Sequence, residues 1–138
     1  MATKRTSNDE LIKELISLVF QEMYTGNIKI AALADQLALS PSQLNRRVKD
    51  ITGKSVSAFV MELRINKVKE MLKMFPCYTI TEVAHAAGFS DLSHLTHCFH
   101  GHTGMSPTEY IQSGAYKEDH LEDPILHHFI REIEKKRR

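Results

Sequence analysis

Four long polar side chains, Gln43, Asn45, Arg46 and Lys49, crowd into one short run, PSQLNRRVK, together with Ser42. A guanidinium offers a fixed fork of N–H donors, and a carboxamide offers a donor beside an acceptor. These groups match the edges of guanine and adenine in a major groove, and a lysine ammonium suits a phosphate. Lys54, just past Gly53, is placed as a further phosphate contact. A second run, DLSHLTHCFHGH, sets Ser93, His94, Thr96, His97 and His100 at matching intervals. Imidazoles there can donate or accept, and their charge depends on pH between about 5 and 8.

The same residues admit other chemistry. His94, His97 and Cys98 fall at helical spacing that suits zinc or copper, so a metal-responsive site on the second run is one rival. Cys98 sits at a core position of the pattern, which weighs against it. A protein-interaction surface with weakened nucleic-acid binding is another, because the second run lacks fixed positive charge. Catalysis finds no support: there is no Gly-rich phosphate loop, no nucleophile elbow and no paired carboxylates in a pocket. The expectation is a non-enzyme without a cofactor or resident metal.

The elements that must carry these residues are one design written twice. Leu33 to Phe59 and Val83 to Tyr110 each open on an apolar-Ala pair, reach Ser40 or Ser90, and close on Thr52-Gly53 or Thr103-Gly104. Helix, tight turn and second helix, repeated, predict two helix-turn-helix units. Ser40-Pro41-Ser42-Gln43, Thr79 with Glu82 and Ser106-Pro107-Thr108-Glu109 each read as a capping box. Ser90 is read as the cap of the second polar helix, with Leu92, Leu95, Cys98 and Phe99 inward. Gly88 sits where the turn needs a left-handed residue, and Ala38 takes that place in the first unit.

Val56 to Lys73 reads as the longest helix, about 26 Å at 1.5 Å per residue, bridging the units. Arg64 lies within it among apolar residues, with Glu109 or Asp91 as possible partners. Ahead of the first unit, Leu11, Ile12, Leu15, Ile16, Val19, Phe20 and Met23 recur at helical spacing, with Ser7 and Glu10 as a capping box and Gly26 as the stop. The expected fold is all-α: two helix-turn-helix subdomains joined by a long linker helix, about seven helices plus a C-terminal extension helix from Pro124 to Arg138. The expected boundaries are 1–8 disordered, 9–55 first subdomain, 56–74 linker helix, 75–112 second subdomain and 113–138 extension.

The chain has 138 residues, 42% hydrophobic and 25% charged, with a formal net charge of +1. A cationic face must therefore come from local asymmetry rather than overall charge. No apolar run approaches the roughly 20 residues that span a bilayer, and the polar N-terminus lacks a signal-peptide core. Cys77 and Cys98 form no spacing motif and have apolar neighbours, which predicts reduced thiols and a cytoplasmic setting.

The run ITEVAHAAGFSDLSHLTHCFHGHTGMSPTEY resembles the C-terminal signature of AraC-type transcriptional regulators. Ala84, Gly88, Phe89, Ser90, Phe99, Gly104, Ser106, Pro107 and Tyr110 match its defining positions. LADQLALSPSQLNRRVKDITGKS and FVMELRINKVKEML are similar to the family's first unit and connecting helix. The resemblance implies sequence-specific binding to double-stranded promoter DNA, control of transcription with RNA polymerase as a partner, and a sensing domain on a longer native chain. It implies DNA contacts from Ser42, Gln43, Asn45, Arg46 and Lys49, and from Ser93, His94, Thr96, His97 and His100. The second set departs from the pattern. The family usually carries Arg at the His97 position and Lys at or beside His100, whereas residues 74–116 contain neither Lys nor Arg. The first unit is thus expected to supply most of the affinity.

Overall fold

The computed structural model describes residues 7–23, 25, 28–74 and 76–114. Seven helices follow in order among them: α1 (Asn8–Met23), α2 (Ile30–Gln36), α3 (Pro41–Thr52), α4 (Val56–Leu72), α5 (Ile80–Ala86), α6 (Leu92–Thr103) and α7 (Pro107–Ser113). No strand occurs among the described residues. The all-α tandem expectation holds. The expected stop at Gly26 and the extension helix lie outside the described residues.

The chain divides into two compact units, with residues 7–21 and 28–61 in the first and 22–25 and 62–114 in the second, so far as they are described. The division falls inside α4, between Met61 and Glu62, rather than at its ends. In the first unit, α1 buries Leu11, Ile12, Leu15, Ile16 and Val19, and α2 and α3 bury Leu33, Ala34, Leu44 and Val48. Val56, Phe59 and Val60 close that core. In the second unit Leu63, Ile65, Val68 and Leu72 of α4 are buried, as are Val83, Ala84, Leu95, Phe99 and Tyr110. The Phe99 and Tyr110 rings meet edge-on, centroids 5.3 Å apart, a favoured arrangement of aromatic quadrupoles. Met71, Ile51, Ile30 and Leu37 are only half-buried.

Local hydrogen bonds explain why the helices start where they do. Ser40, Thr79 and Ser106 each accept a backbone N–H through the side chain, while Gln43, Glu82 and Glu109 reach back to the capping residue. Hydrogen bonding from Thr79, chiefly from its backbone N–H, holds the Glu82 carboxyl below its ordinary pKa. The stabilisation of α5 by that carboxylate is therefore present above the unfolded-state value and lost as pH falls through the folded one. Both α3 and α6 end on a left-handed glycine, Gly53 and Gly104. The threonine before it donates to the last turn in each unit, Thr52 to the Val48 carbonyl and Thr103 to the Phe99 carbonyl, both at 2.8 Å.

The two turns differ in one informative respect. Gly88 has φ 84° and Ala38 has φ 58°, so both are left-handed, but only one is glycine. A Cβ on Gly88 would stand 3.1 Å from the Met23 carbonyl oxygen. Glycine is thus needed there for space as well as for conformation. Ala38 is exposed and carries the conformational cost alone. Ala38→Gly should stabilise the chain by about 0.5–1 kcal/mol, and Gly88→Ala should destabilise it by about 2 kcal/mol, in urea titrations followed by circular dichroism. A neutral result for both would show that the turn tolerates either residue.

Candidate nucleic-acid interface

On α3, Ser42, Asn45, Arg46 and Lys49 are all exposed, and their spacing puts them on one face. Leu44 and Val48 are buried on the other side. Arg46 and Lys49 show no side-chain bond among the described residues, so their charge is available. Arg47 differs: it is half-buried and its guanidinium donates to the Asn8 side chain at 3.2 Å, which ties α3 to α1. Lys54 is half-buried, and its backbone N–H donates to Thr52 Oγ1 at 3.1 Å.

Two α3 residues of the expected set already carry structural duties. The Gln43 side-chain oxygen accepts the Ser40 N–H at 2.9 Å as part of the capping box. Asn45 Oδ1 accepts the Val56 N–H at 3.0 Å, at the start of α4. That N–H is one of the donors a helix N-terminus leaves unpaired. In the second unit Pro107 stands at the corresponding position and has no N–H, and Thr96 replaces Asn45. Asn45→Ala should therefore cost about 1 kcal/mol of stability without any DNA present, by thermal melting. An unchanged melting temperature would free Asn45 for a purely external role.

On α6, Ser93, Thr96, His97 and His100 repeat the α3 stripe in register, with Leu95 and Phe99 on the buried side. Ser93, His97 and His100 are exposed and Thr96 is half-buried. His94 lies off that stripe and is half-buried: Nδ1 stands 3.3 Å from Ser90 Oγ, and its ring meets Phe89 edge-on at 5.2 Å. The helix cap is Asp91, whose carboxylate accepts the His94 N–H at 2.8 Å, and not Ser90 as expected. The second turn is one residue longer, 87–91 against 37–40, so the cap moves along by one. Leu92, expected inside, is 41% exposed for the same reason: it now occupies the first helical position.

Arg64 supports this turn from α4. Its guanidinium donates to the Ala87 carbonyl at 3.1 Å and to the Gly88 carbonyl, and lies 4.2 Å over the Phe89 ring. It pairs with neither Glu109 nor Asp91, the carboxylates the sequence offered. Burial lowers the Arg64 pKa, with the Cys98 thiol pulling the other way. Both cysteines are free; Cys77 is exposed rather than shielded by apolar neighbours, and Cys98 is half-buried. Among the described residues no group of three or more His, Cys, Asp or Glu side chains is arranged to hold a metal ion. No described helix is long and apolar enough to cross a membrane.

Residues 33–113 match a family described as "Helix-turn-helix domain", and that match takes in most of the chain. The chain belongs to the AraC-type helix-turn-helix family of DNA-binding transcription regulators. It is 29% identical over 92 residues to the transcriptional activator RhaS of Shigella boydii, covering 67% of this chain and 33% of that protein. It is 28% identical over 107 residues to RhaS of Salmonella schwarzengrund, covering 78% and 38%. The chain thus spans about a third of the length of the curated relatives it matches. Its fold is similar to a DNA-binding transcriptional dual regulator from Escherichia coli K-12, with TM-score 0.66, 21% identity, and 83% and 98% of the two chains covered. It is also similar to the DNA-binding domain of AdpA solved in complex with a target DNA, with TM-score 0.65, 22% identity, and 72% and 88% covered. The AraC-type family is one of regulators and not of enzymes.

Proposed function

We propose that this AraC-type domain recognises promoter DNA through α3 and α6, inserted into successive major grooves, with α3 supplying most of the affinity. Arg46 reads a guanine edge, and Lys49 and Lys54 hold phosphates. Asn45 and Gln43 contribute only what their capping bonds leave over. Ser93, Thr96, His97 and His100 contact DNA from α6, with His94 held back against Phe89 and Ser90.

The observation that carries this reading is the duplicated stripe, exposed throughout except at the half-buried Thr96. Ser42, Asn45, Arg46 and Lys49 recur as Ser93, Thr96, His97 and His100, each opposite a buried apolar stripe. The charge difference between the stripes supports unequal shares, because fixed cations dominate the salt-dependent part of binding. Contact with RNA polymerase, and a sensing domain elsewhere in a longer protein, follow as further parts of the proposal for a promoter-bound regulator.

In vitro selection of bound DNA tests it. Two short motifs about one helical turn apart, roughly 34 Å centre to centre, are expected. A single short motif would confine reading to α3. No enrichment at all would favour the rival reading of a protein-interaction module.

A further inference from the structure

We propose that the second unit's hold on DNA is proton-linked: His97 and His100 grip phosphodiester oxygens as imidazolium ions and release them when neutral. This rests on the reading of α6 as a DNA-contacting helix and adds a regulation to it.

The internal repeat is the first support. His97 stands where Arg46 stands in the first unit, and His100 where Lys49 stands. Two fixed cations have become two titratable ones at the same places on the same helix. No Lys or Arg lies anywhere in residues 74–116 to compensate. Histidine is the side chain whose charge turns over between pH 5 and 8.

The surroundings of the two rings are the second support. Both are exposed, and a spacing of three residues puts them on one face about 4.5 Å apart along the axis. Neither has a hydrogen bond or ion pair among the described residues. α6 packs against α5 and α7. Asp91 Oδ1 takes the His94 N–H, Glu82 the Thr79 N–H and Glu109 the Ser106 N–H. Arg64 of α4 is turned to the Ala87 and Gly88 carbonyls and sits beside Cys98. His94 is held by Ser90 and Phe89, while His85 and His102 are exposed on α5 and α6. Each of these carboxylates accepts a backbone N–H at a helix N-terminus, and none is paired with His97 or His100. A phosphate within about 4–6 Å favours the charged ring, so DNA binding draws in protons.

The test is fluorescence anisotropy with the 138-residue chain and a DNA duplex recovered by selection at pH 6.0, titrated at pH 6.0 and 8.0 over a range of salt. Affinity should rise at least about tenfold from pH 8.0 to 6.0, and the salt slope should steepen by roughly 1.8 for two added phosphate contacts. In the double variant His97→Gln, His100→Gln the affinity gained between pH 8.0 and pH 6.0 should be lost. In His97→Arg, His100→Lys binding should be tight and flat across the range. Circular dichroism at both pH values confirms that each variant folds. Equal affinity of the parent at pH 6.0 and 8.0 overturns this inference alone. A pH dependence that survives the double Gln variant also overturns it, by assigning the proton elsewhere. No DNA binding at any pH overturns the underlying reading and this inference together.

Discussion

Replacing Arg64 with methionine should lower the stability of the second unit by about 3 kcal/mol. Hydrogen bonds from a charged donor contribute roughly 1.5–3 kcal/mol each, and a cation over an aromatic face roughly 0.5–2 kcal/mol. Arg64 makes two of the first kind, to the Ala87 and Gly88 carbonyls, and one of the second, to Phe89. Partial exposure and the recovered desolvation of the guanidinium reduce that sum, which is why the expectation sits well below the additive figure. Methionine keeps the apolar stem and removes the fork. Arg64→Lys keeps a cation near Phe89 but cannot serve both carbonyls in a plane, so it should recover only part of the loss. Urea denaturation followed by far-UV circular dichroism reads both variants. A loss under about 1 kcal/mol for the methionine variant would mean that the turn holds itself without α4.

The effect should also reach the interface. Arg64 fixes Phe89, Phe89 meets His94, and His94 is the first turn of α6. Arg64 is therefore a positioning residue for the second polar helix.

Arg46→Ala should weaken binding to the selected DNA by about ten- to a hundredfold, equivalent to about 1–3 kcal/mol for one well-formed base contact. At pH 8.0 the matching change on the other helix, His97→Ala, should cost less than about threefold, because it removes no fixed cation. The asymmetry follows from two side chains that share a position in the repeat and an exposed setting, yet differ in fixed charge. Competition titrations with a scrambled duplex separate the two contributions of Arg46. Loss of sequence preference marks base reading, whereas an equal loss on both duplexes marks phosphate contact alone. A His97→Ala effect as large as that of Arg46→Ala at pH 8.0 would remove the dominance of the first unit.

Much of the architecture was written locally. The capping boxes at Ser40, Thr79 and Ser106 join residues three apart, and the apolar stripes of α1 and α3 follow helical spacing. Such signals need no knowledge of the rest of the molecule, and the duplication of the unit is visible as repeated residues. The left-handed conformation at Gly88 was legible for the same reason, and so was its uncompensated counterpart at Ala38.

What the residues alone left open depended on distant partners. Arg64 had two plausible carboxylates in sequence and took two backbone carbonyls instead, 23 and 24 residues away. Asn45 looked equally suited to a base edge, and only the approach of α4 showed that it caps Val56, 11 residues on. One additional residue in the second turn moved the cap from Ser90 to Asp91 and left Leu92 exposed. Chemical type and spacing determine what a side chain is able to bind and which helix carries it. Which of those groups remain unoccupied is decided by tertiary packing, because a hydrogen-bonding group satisfied inside the protein is no longer wholly available to a ligand.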